Sequence, residues 1–447
     1  MYELIIKLSR YAFIIYILFF LYQGVRYIGA ERGLIKGSKN AAASKQRITV
    51  ILMHITAFLI LSYVPGSFSF SVKALIMGSG TLVLLICAHL FADKVYKGSC
   101  TLMWNGVLFL MDTGLIMLWR LDESLAEKQL IWFFISFAVM FLMPLGFKIV
   151  PRFERLEKIY LVVGLMLLVT PFILGREEFG AINWIQVGMM NLQPSEVVKF
   201  IFVFYLASVF RKKLEFKQMI LPIAVGALYV LILVLQTDLG GALIFFMTFM
   251  VMMYVATGSE LLFISGMVAM SIASVMAYRL FNHVRVRVAI WQNPWVDVYD
   301  TGNQIVQALF AIGTWGLLGS GITLGYPGYV PVIARDSIFA AVCEEMGSLF
   351  GMGIIGVYLM IFYRGVHIAL RCKRKYYSLL AVGFTAMMAF QTFLIIGGTI
   401  KLIPLTGVTL PFISYGGSSA LVSSLMIGII QWIFMYYRED MDKSEED

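Results

Sequence analysis

Two observations and one physical constraint predict an all-α protein that crosses a membrane many times. Of the 447 residues, 60% are hydrophobic and only 14% are charged, whereas soluble domains have about 25% charged residues. Apolar stretches recur along the whole chain, each near the length of about 20 residues that a helix needs to cross hydrocarbon. Backbone exposed to lipid must satisfy its own hydrogen bonds, which a helix does within a single segment. The fold class is therefore a helical membrane bundle.

About thirteen apolar runs are candidate membrane spans. In chain order they are Tyr11–Val25, Ile48–Val64, Ala74–Phe91, Leu102–Trp119, Leu130–Leu145, Ile159–Leu174, Val197–Phe210, Ile220–Leu235, Ala242–Thr257, Leu261–Tyr278, Phe339–Phe362, Leu379–Ile396 and Ala420–Tyr436. The first run follows a weakly basic start, as in a signal peptide, but its aromatic bulk favours a retained helix. Because this run is short, a re-entrant segment with a cytoplasmic amino terminus also fits it.

The net charge of +9 comes from basic residues in short loops, not from one contiguous patch, so the charge does not indicate a nucleic-acid partner. Positive residues are retained on the cytoplasmic side of a membrane protein. The segments predicted to be cytoplasmic are Arg26–Arg47, Lys94–Lys97, Lys148–Lys158, Arg211–Lys217, Arg364–Lys375 and the tail from Arg438. The segments predicted to lie outside are Arg120–Gln129, Gly175–Glu196, Gln236–Gly241, Arg279–Ile338 and Gly397–Ser419.

Among the outer segments, Arg279–Ile338 is far longer than a connection needs, which makes it a functional candidate. The four cysteines are scattered without ligand spacing, so they predict no disulfide or metal framework.

Gln193-Pro194-Ser195-Glu196, followed by Lys199, stands at the outer entrance of a predicted span. Pro194 suits the first position of a helix and Ser195 can cap it. Glu196 and Lys199 are one helical turn apart, so their side chains can pair. Charges within a membrane span are costly and usually functional, but the same spacing also fits a structural ion pair that orients the helix.

Asp238 lies in a tight turn, Gln236–Gly241, between two apolar spans. A carboxylate at that turn is a candidate substrate contact, and it equally fits the cap of the following helix.

Asp336 ends the long outer segment, immediately before a predicted span that carries Glu344 and Glu345. A carboxylate at the mouth of a span is partly desolvated, which raises its pKa and suits a general base. The positive charge of the neighbouring Arg335 lowers this pKa instead. The position also fits the N-cap of the following helix.

The run from Thr406 to Ser419 combines Pro411, Gly416 and Gly417 with several hydroxyl residues. This composition indicates backbone that is broken at membrane depth, which is tolerated only where it is buried in protein or lines a wet cavity. The run therefore predicts a site or a groove.

These residues resemble the SEDS proteins (shape, elongation, division and sporulation), the family of FtsW, RodA and SpoVE. The resemblance covers about residues 101–437. Its motifs, in family order, are Gln193–Glu196 with Lys199, Gln236–Gly240, the loop residues Pro294, Asp297, Gly302, Gln304, Gln307, Gly319 and Gly321, then Asp336–Gly347, and Leu410–Ser419. Where the family usually reads Thr-Asp-Phe-Ile-Phe, this chain reads Arg335-Asp336-Ser337-Ile338-Phe339.

The resemblance implies a SEDS-like ten-helix core at residues 101–437, with a large extracellular loop at 279–338 and a cytoplasmic tail at 438–447. About three additional N-terminal transmembrane helices occupy residues 1–100. Their role is not readable from sequence: they dock a partner or only reverse the amino terminus.

The resemblance also implies an inverting peptidoglycan glycosyltransferase of the bacterial cytoplasmic membrane, which links lipid II units into glycan strands on the outer face. Asp336 corresponds to the family's catalytic aspartate. Candidate substrate-binding residues are Gln193, Ser195, Glu196, Lys199, Asp238, Arg285, Arg335, Lys401, Ser414, Tyr415 and Gly416. Arg285, Arg287, Arg335 and Lys401 are the candidate cations for the pyrophosphate leaving group, and the candidate cofactor is a divalent cation, Mg²⁺ or Mn²⁺.

The implied partners are lipid II, a class B penicillin-binding transpeptidase and other membrane proteins of the division or elongation machinery. Two other functions also fit the residues. Broken helices with charges at their ends are a transporter signature, which makes a lipid II flippase the main alternative. A non-enzymatic scaffold for division or elongation proteins is the third.

Overall fold

The computed structural model describes residues 2–64, 69–149, 153–178, 181–187, 190–213 and 215–446. This part of the chain forms sixteen α-helices and five short strands. The helices are α1 (Tyr2–Glu31), α2 (Lys39–Ser62), α3 (Val72–Val95), α4 (Thr101–Leu121), α5 (Glu123–Ile149), α6 (Glu157–Leu174), α7 (Pro194–Phe210), α8 (Phe216–Leu235), α9 (Leu239–Thr257), α10 (Glu260–Leu280), α11 (Asn282–Gln292), α12 (Asn303–Thr314), α13 (Ile338–Met346), α14 (Ser348–Arg371), α15 (Lys375–Thr399) and α16 (Gly417–Glu446). The strands are β1 (Tyr63–Val64), β2 (Ser69–Phe70), β3 (Arg176–Glu178), β4 (Ala181–Val187) and β5 (Met190–Leu192). Parts of the predicted loops at 148–158 and 175–196 lie outside the described residues.

The long helices confirm the predicted helical membrane bundle. Twelve of them are long and apolar enough to cross a membrane, and α7, with 17 residues, occupies the remaining predicted span. In the described part of the chain, three long helices (α1–α3) lie before residue 101, and ten (α4–α10 and α14–α16) lie from residue 101 onward. Helix α1 is continuous over 30 residues, so the re-entrant alternative for the first segment is wrong.

The predicted span Phe339–Phe362 is not one helix. Gly347, with a φ of 96°, separates α13 from α14. Glycine adopts this conformation without the steric cost that a Cβ would bring. The backbones of Gly347 and Gly319 also touch, because a Cβ on Gly319 would lie 2.4 Å from the Gly347 nitrogen. The short α13 is therefore set apart from the membrane helix that follows it.

Helix α4 is the centre of the amino-terminal half. Every residue from Leu102 to Trp119 is buried, and α4 contacts α2, α3, α5 and α14. Two buried polar groups join α4 to the amino-terminal helices: His54 Nδ1 lies 2.7 Å from Asp112 Oδ1, and Asn105 Nδ2 donates to the Ala43 carbonyl at 3.0 Å. In a lipid environment, such contacts help to hold helices together.

Helix α15 is the corresponding centre of the carboxy-terminal half. It packs against α7, α9 and α14, while α16 packs along α5. The break between α15 and α16 leaves residues 400–416 without regular helix. In this segment Lys401, Gly407 and Phe412 have positive φ angles of 61°, 73° and 69°. The predicted break of the backbone over this run is confirmed.

The segments predicted as outer loops contain regular structure. Strands β3, β4 and β5 form an antiparallel sheet just before α7, with Ile185 opposite Leu192. Helices α11 and α12 lie in the long segment 279–338, which then leads into α13.

Pro194 occupies the first turn of α7, where its missing N–H is not needed. The expectation that Ser195 caps this helix is wrong, because the N-cap is Gln193 and the Ser195 hydroxyl is buried without a partner.

Candidate active site

A cavity of about 770 Å³ lies at the end of the bundle where the long segment and the broken loop meet. We call it the polar cavity. The start of α5, strand β4, the starts of α7 and α9, helices α11 and α12, and the two non-helical segments before α13 and α16 line it. The predicted site residues that line it are Gln193, Glu196, Lys199, Asp238, Arg335, Asp336, Tyr415 and Gly416. Residues far apart in sequence therefore meet in one place.

Asp336 lies in the turn that precedes α13, partly buried in the polar cavity. Its N–H donates to the Val332 carbonyl at 3.2 Å, and its carbonyl lies 3.5 Å from Thr399 Oγ1, whose hydroxyl donates to the nearer Ile395 carbonyl at 2.8 Å. Among the residues that the structure describes, none donates a hydrogen bond to its carboxylate. Asp336 is not the N-cap of α13, because that position belongs to Ser337. The carboxylate is thus free to accept a proton from a ligand.

Burial raises the pKa of the Asp336 carboxyl to about 6, although the positive charges of Arg335 and Arg287 pull the pKa down. A carboxylate with this pKa is still mostly ionised at neutral pH. It also binds a proton more readily than an ordinary aspartate does. Both properties suit a general base.

Glu196 and Lys199 form the predicted ion pair, with Lys199 Nζ 2.8 Å from Glu196 Oε1. Both side chains are almost completely buried. Lys199 Nζ also donates to Gln391 Oε1 at 3.0 Å, and Gln391 Nε2 donates to the Thr409 carbonyl at 2.8 Å. A buried polar chain therefore runs from α7 through α15 to the broken loop. Sequence reasoning missed Gln391, because a single glutamine inside an apolar span has no recognisable motif around it.

Asp238 caps α9, as one of its two sequence interpretations predicts. Its Oδ1 accepts from the Gly241 N–H at 2.7 Å, and its Oδ2 accepts from Gln193 Nε2 at 3.3 Å. The cap and the substrate contact are compatible, because Asp238 also lines the polar cavity. The contact between Gln193 and Asp238 joins the starts of α7 and α9 at the cavity wall.

The broken loop is attached to the segment that carries Asp336. Ser414 Oγ donates to the Arg335 carbonyl at 2.5 Å, and the Tyr415 N–H donates to the Ala334 carbonyl at 2.8 Å. Ser414 thus acts on the backbone and does not line the cavity, whereas Tyr415 and Gly416 do. The Arg335 guanidinium lies 5.7 Å from the Trp184 ring centroid and 5.9 Å from the Tyr415 ring centroid. Two aromatic faces therefore hold this cation at the cavity wall.

The other candidate cations differ in their positions. Arg285 is exposed and does not line the polar cavity, whereas Arg287, two residues further along α11, does. Residues two apart on a helix point in nearly opposite directions. Lys401 also lies outside the cavity lining, and its carbonyl accepts from Trp291 Nε1 at 3.2 Å. Lys128 on α5 lines the cavity and was missed by the sequence reasoning.

Within the described residues, no group of three or more His, Cys, Asp or Glu side chains could hold a metal ion. The divalent cation expected from the sequence stays a prediction. The cationic side chains at the polar cavity are Lys128, Lys199, Arg287 and Arg335, and one buried nitrogen of Arg287, Nη1, has no hydrogen-bond partner in the described structure. A free base beside several cations suits a group transfer with an anionic leaving group.

Comparison with known proteins identifies relatives of this chain. The sequence model of the FtsW/RodA/SpoVE family, described as cell cycle proteins, matches residues 97–439. The peptidoglycan glycosyltransferase RodA of Mycobacterium tuberculosis is 32% identical over 382 residues, which cover 79% of this chain and 81% of that protein. Stage V sporulation protein E of Bacillus subtilis is 32% identical over 354 residues, covering 74% and 95%.

Solved structures show the same fold. A chain in a peptidoglycan synthase complex, described for the coordination of polymerization and crosslinking, superposes with a TM-score of 0.66 at 25% identity, covering 77% of this chain and 98% of that one. The rod shape determining protein RodA of Thermus thermophilus superposes with a TM-score of 0.55 at 24% identity, with the same coverage.

Proposed function

The chain belongs to the FtsW/RodA/SpoVE family, and from this premise we propose that Asp336 is the general base of its glycosyl transfer. The protein is a peptidoglycan glycosyltransferase, the activity for which its RodA and FtsW relatives are named. The observation that carries the proposal is the free Asp336 carboxylate, which lies partly buried in a polar cavity beside Arg335 and Arg287.

The proposed substrate is lipid II, a disaccharide-peptide attached to undecaprenyl pyrophosphate. Asp336 takes the proton from the 4-hydroxyl of the acceptor N-acetylglucosamine. The hydroxyl oxygen then forms a bond to the anomeric carbon of the donor N-acetylmuramic acid. The bond from that carbon to the pyrophosphate oxygen breaks, and undecaprenyl pyrophosphate leaves with the electron pair. A single displacement of this kind inverts the anomeric configuration.

The leaving pyrophosphate gains negative charge as the bond breaks, so cations near it stabilise the transition state. Arg287 and Arg335 are the best placed of the predicted cations, because both line the polar cavity that holds Asp336. Nη1 of Arg287 has no partner in the described structure, so it can donate a hydrogen bond to a phosphate oxygen. The roles of Arg285 and Lys401 as substrate contacts stay predictions, and the structure brings neither of them to the cavity.

We place the polar cavity on the outer face of the cytoplasmic membrane. The support is the distribution of basic residues, because most of the lining comes from segments predicted to be outside by the charge rule. We also propose a class B penicillin-binding transpeptidase as partner. The support is the likeness to a chain of a peptidoglycan synthase complex that polymerises and crosslinks.

The direct test is to supply purified protein in vesicles with lipid II alone and to separate the products on a gel. The proposal expects glycan strands. Movement of lipid II between the leaflets without strands would support the flippase instead. No change of lipid II with or without a cognate transpeptidase would support the scaffold.

The pH dependence of polymerisation tests the role of Asp336 more closely. Only the carboxylate form can take the proton, so activity is present above the pKa and lost as the pH falls through it. With a pKa of about 6 in the free protein, kcat/KM for lipid II is expected to be half-maximal near pH 6 and to be about a tenth of its maximum at pH 5. A rate that stays flat down to pH 5 would contradict the assignment.

Arg335→Gln is expected to move this pH dependence upward. The positive charge of Arg335 lowers the pKa of Asp336, so removing it raises the pKa and shifts the half-maximal rate above pH 6. Arg335→Lys is the matched control, because it keeps the charge and should leave the midpoint nearly in place. An unchanged midpoint in the glutamine variant would show that the two side chains do not interact in the active protein.

A further inference from the structure

Helices α1–α3 lie before the family match, which begins at residue 97, yet they contact α4, α5, α13 and α14, and α13 directly follows the Asp336 segment. We propose that these helices are an internal brace that fixes the Asp336 segment and the broken loop, and that they are not primarily a docking surface for a partner. This inference rests on the proposed function, because the brace acts on the same site. Two separate contacts carry it.

The first contact joins α1 to a glycine-rich loop, residues 319–325. Arg10 Nη1 donates to the Gly319 carbonyl at 3.3 Å. Gly321 has a φ of 98° and approaches α1 so closely that a Cβ on it would lie 2.6 Å from Ile6 Cγ2. Ile6 itself is completely buried by this packing. The first turns of α1 therefore fix the position of this loop.

The glycine-rich loop is in turn bound to α13. The Ser320 N–H donates to the Glu344 carbonyl at 2.8 Å, and the Gly321 N–H donates to the Glu345 carbonyl at 2.9 Å. Arg120 joins α4 to both α13 and the glycine-rich loop. Its Nε donates to Glu345 Oε1 at 2.9 Å, and its Nη2 donates to the Gly325 carbonyl at 3.2 Å. Because α13 begins two residues after Asp336, a shift of the loop moves the base.

The second contact joins α2 and α3 to α4. His54 Nδ1 lies 2.7 Å from Asp112 Oδ1, and His54 Nε2 lies 2.9 Å from the Gly78 carbonyl on α3. Both side chains of the pair are completely buried. Two residues after Asp112, Gly114 packs on the broken loop, where a Cβ would lie 2.7 Å from the Phe412 carbonyl oxygen. The amino-terminal helices thus set the distance of α4 from that loop.

Within the described residues, exposed ion pairs of these helices, such as Lys73 with Glu123, lie near the helix ends, whereas mid-helix outward side chains are apolar. Ile15 on α1 and Leu59 on α2 are 62% and 52% exposed, as expected for side chains that face lipid. The hydrogen bonds described above all point towards the core. A polar group inside a membrane bundle is costly unless it is partnered, so the presence of these inward pairs indicates a role inside the chain.

The test compares inward with outward variants in the purified full-length protein, with lipid II and without any partner. The inward variants are Arg10→Met and His54→Leu, and Ile15→Ala and Leu59→Ala are their outward controls. A displacement of the base by about 1 Å can cost on the order of 100-fold in rate. We expect each inward variant to lower kcat by about 10- to 100-fold with KM nearly unchanged. Arg10→Lys, which keeps a cationic donor near the Gly319 carbonyl, should recover most of the rate.

Amide hydrogen exchange gives a readout that does not depend on activity. The inward variants should exchange several-fold faster at residues 319–346 and 406–416, and the outward controls should not. Unchanged kinetics and exchange in the inward variants would overturn the brace. So would a defect that is confined to the outward variants and appears only with a transpeptidase present. If His54→Leu does not fold, the comparison of Arg10→Met with Arg10→Lys decides whether the brace exists. If the unmodified chain makes no strands, the proposed function fails while the exchange experiment still tests the brace.

Discussion

Asp336→Asn is expected to lower the rate of strand formation from purified lipid II by about 10²- to 10⁴-fold, the contribution typical of a positioned general base. The amide has nearly the same size as the carboxylate, so the polar cavity keeps its shape. It cannot accept the proton of the acceptor hydroxyl. The rate should be measured at saturating lipid II in the same vesicles as the unmodified protein.

Asp238→Asn is the matched control, because Asp238 is a second aspartate at the same cavity. Its main contact is the Gly241 N–H, which an amide oxygen can also accept. We expect this variant to lose much less activity than Asp336→Asn, because Asp238 is a candidate substrate contact but takes no proton in the proposed reaction. An active Asp336→Asn protein would remove the base assignment. An equal loss in both variants would indicate a general effect of cavity charge.

Lys199→Met is expected to cost the largest amount of stability among the cavity residues. It leaves the Glu196 carboxylate buried without its ion pair, and breaking a buried pair in this way costs about 3–5 kcal/mol. The change also frees Gln391 from its contact with Lys199, so the broken loop loses part of its support. Thermal unfolding of the purified protein in detergent, followed by size-exclusion chromatography, would measure the loss.

The double variant Glu196→Gln/Lys199→Met separates the two interpretations of this pair. With both charges removed, no buried carboxylate is left unpaired, and stability should return to within about 1–2 kcal/mol of the original. If the pair is only structural, strand formation returns with it. If Lys199 contacts the substrate, activity stays low in a stable protein. Failure of the double variant to regain stability would show that the ion pair is not the source of the defect.

Much of the architecture could be predicted from the sequence, because hydrocarbon leaves few choices for the backbone. Apolar runs of the right length had to become helices, and the helix over Thr101–Leu121 follows almost directly from its run. The break at Gly347 could not be predicted in this way. The apolar run continues across it, and the close approach of residues 317–319 from a distant loop becomes visible only in the folded chain.

The site was less predictable than the fold. Motif recognition identified Asp336 and the pair of Glu196 and Lys199, because these are close in sequence to distinctive neighbours. It could not choose between Arg285 and Arg287, since that choice depends on which face of α11 meets the cavity. Gln391 carries no local signal, because its role exists only once α7, α15 and the broken loop are packed together.

The touching backbones of Gly319 and Gly347 have a consequence for how this protein can change over generations. Neither position can acquire a side chain while the other chain segment stays in place, and no replacement at one of them makes room at the other. Both positions are therefore expected to stay glycine, although neither residue lines the polar cavity. Selection on the enzyme thus reaches well beyond the residues that meet its substrate.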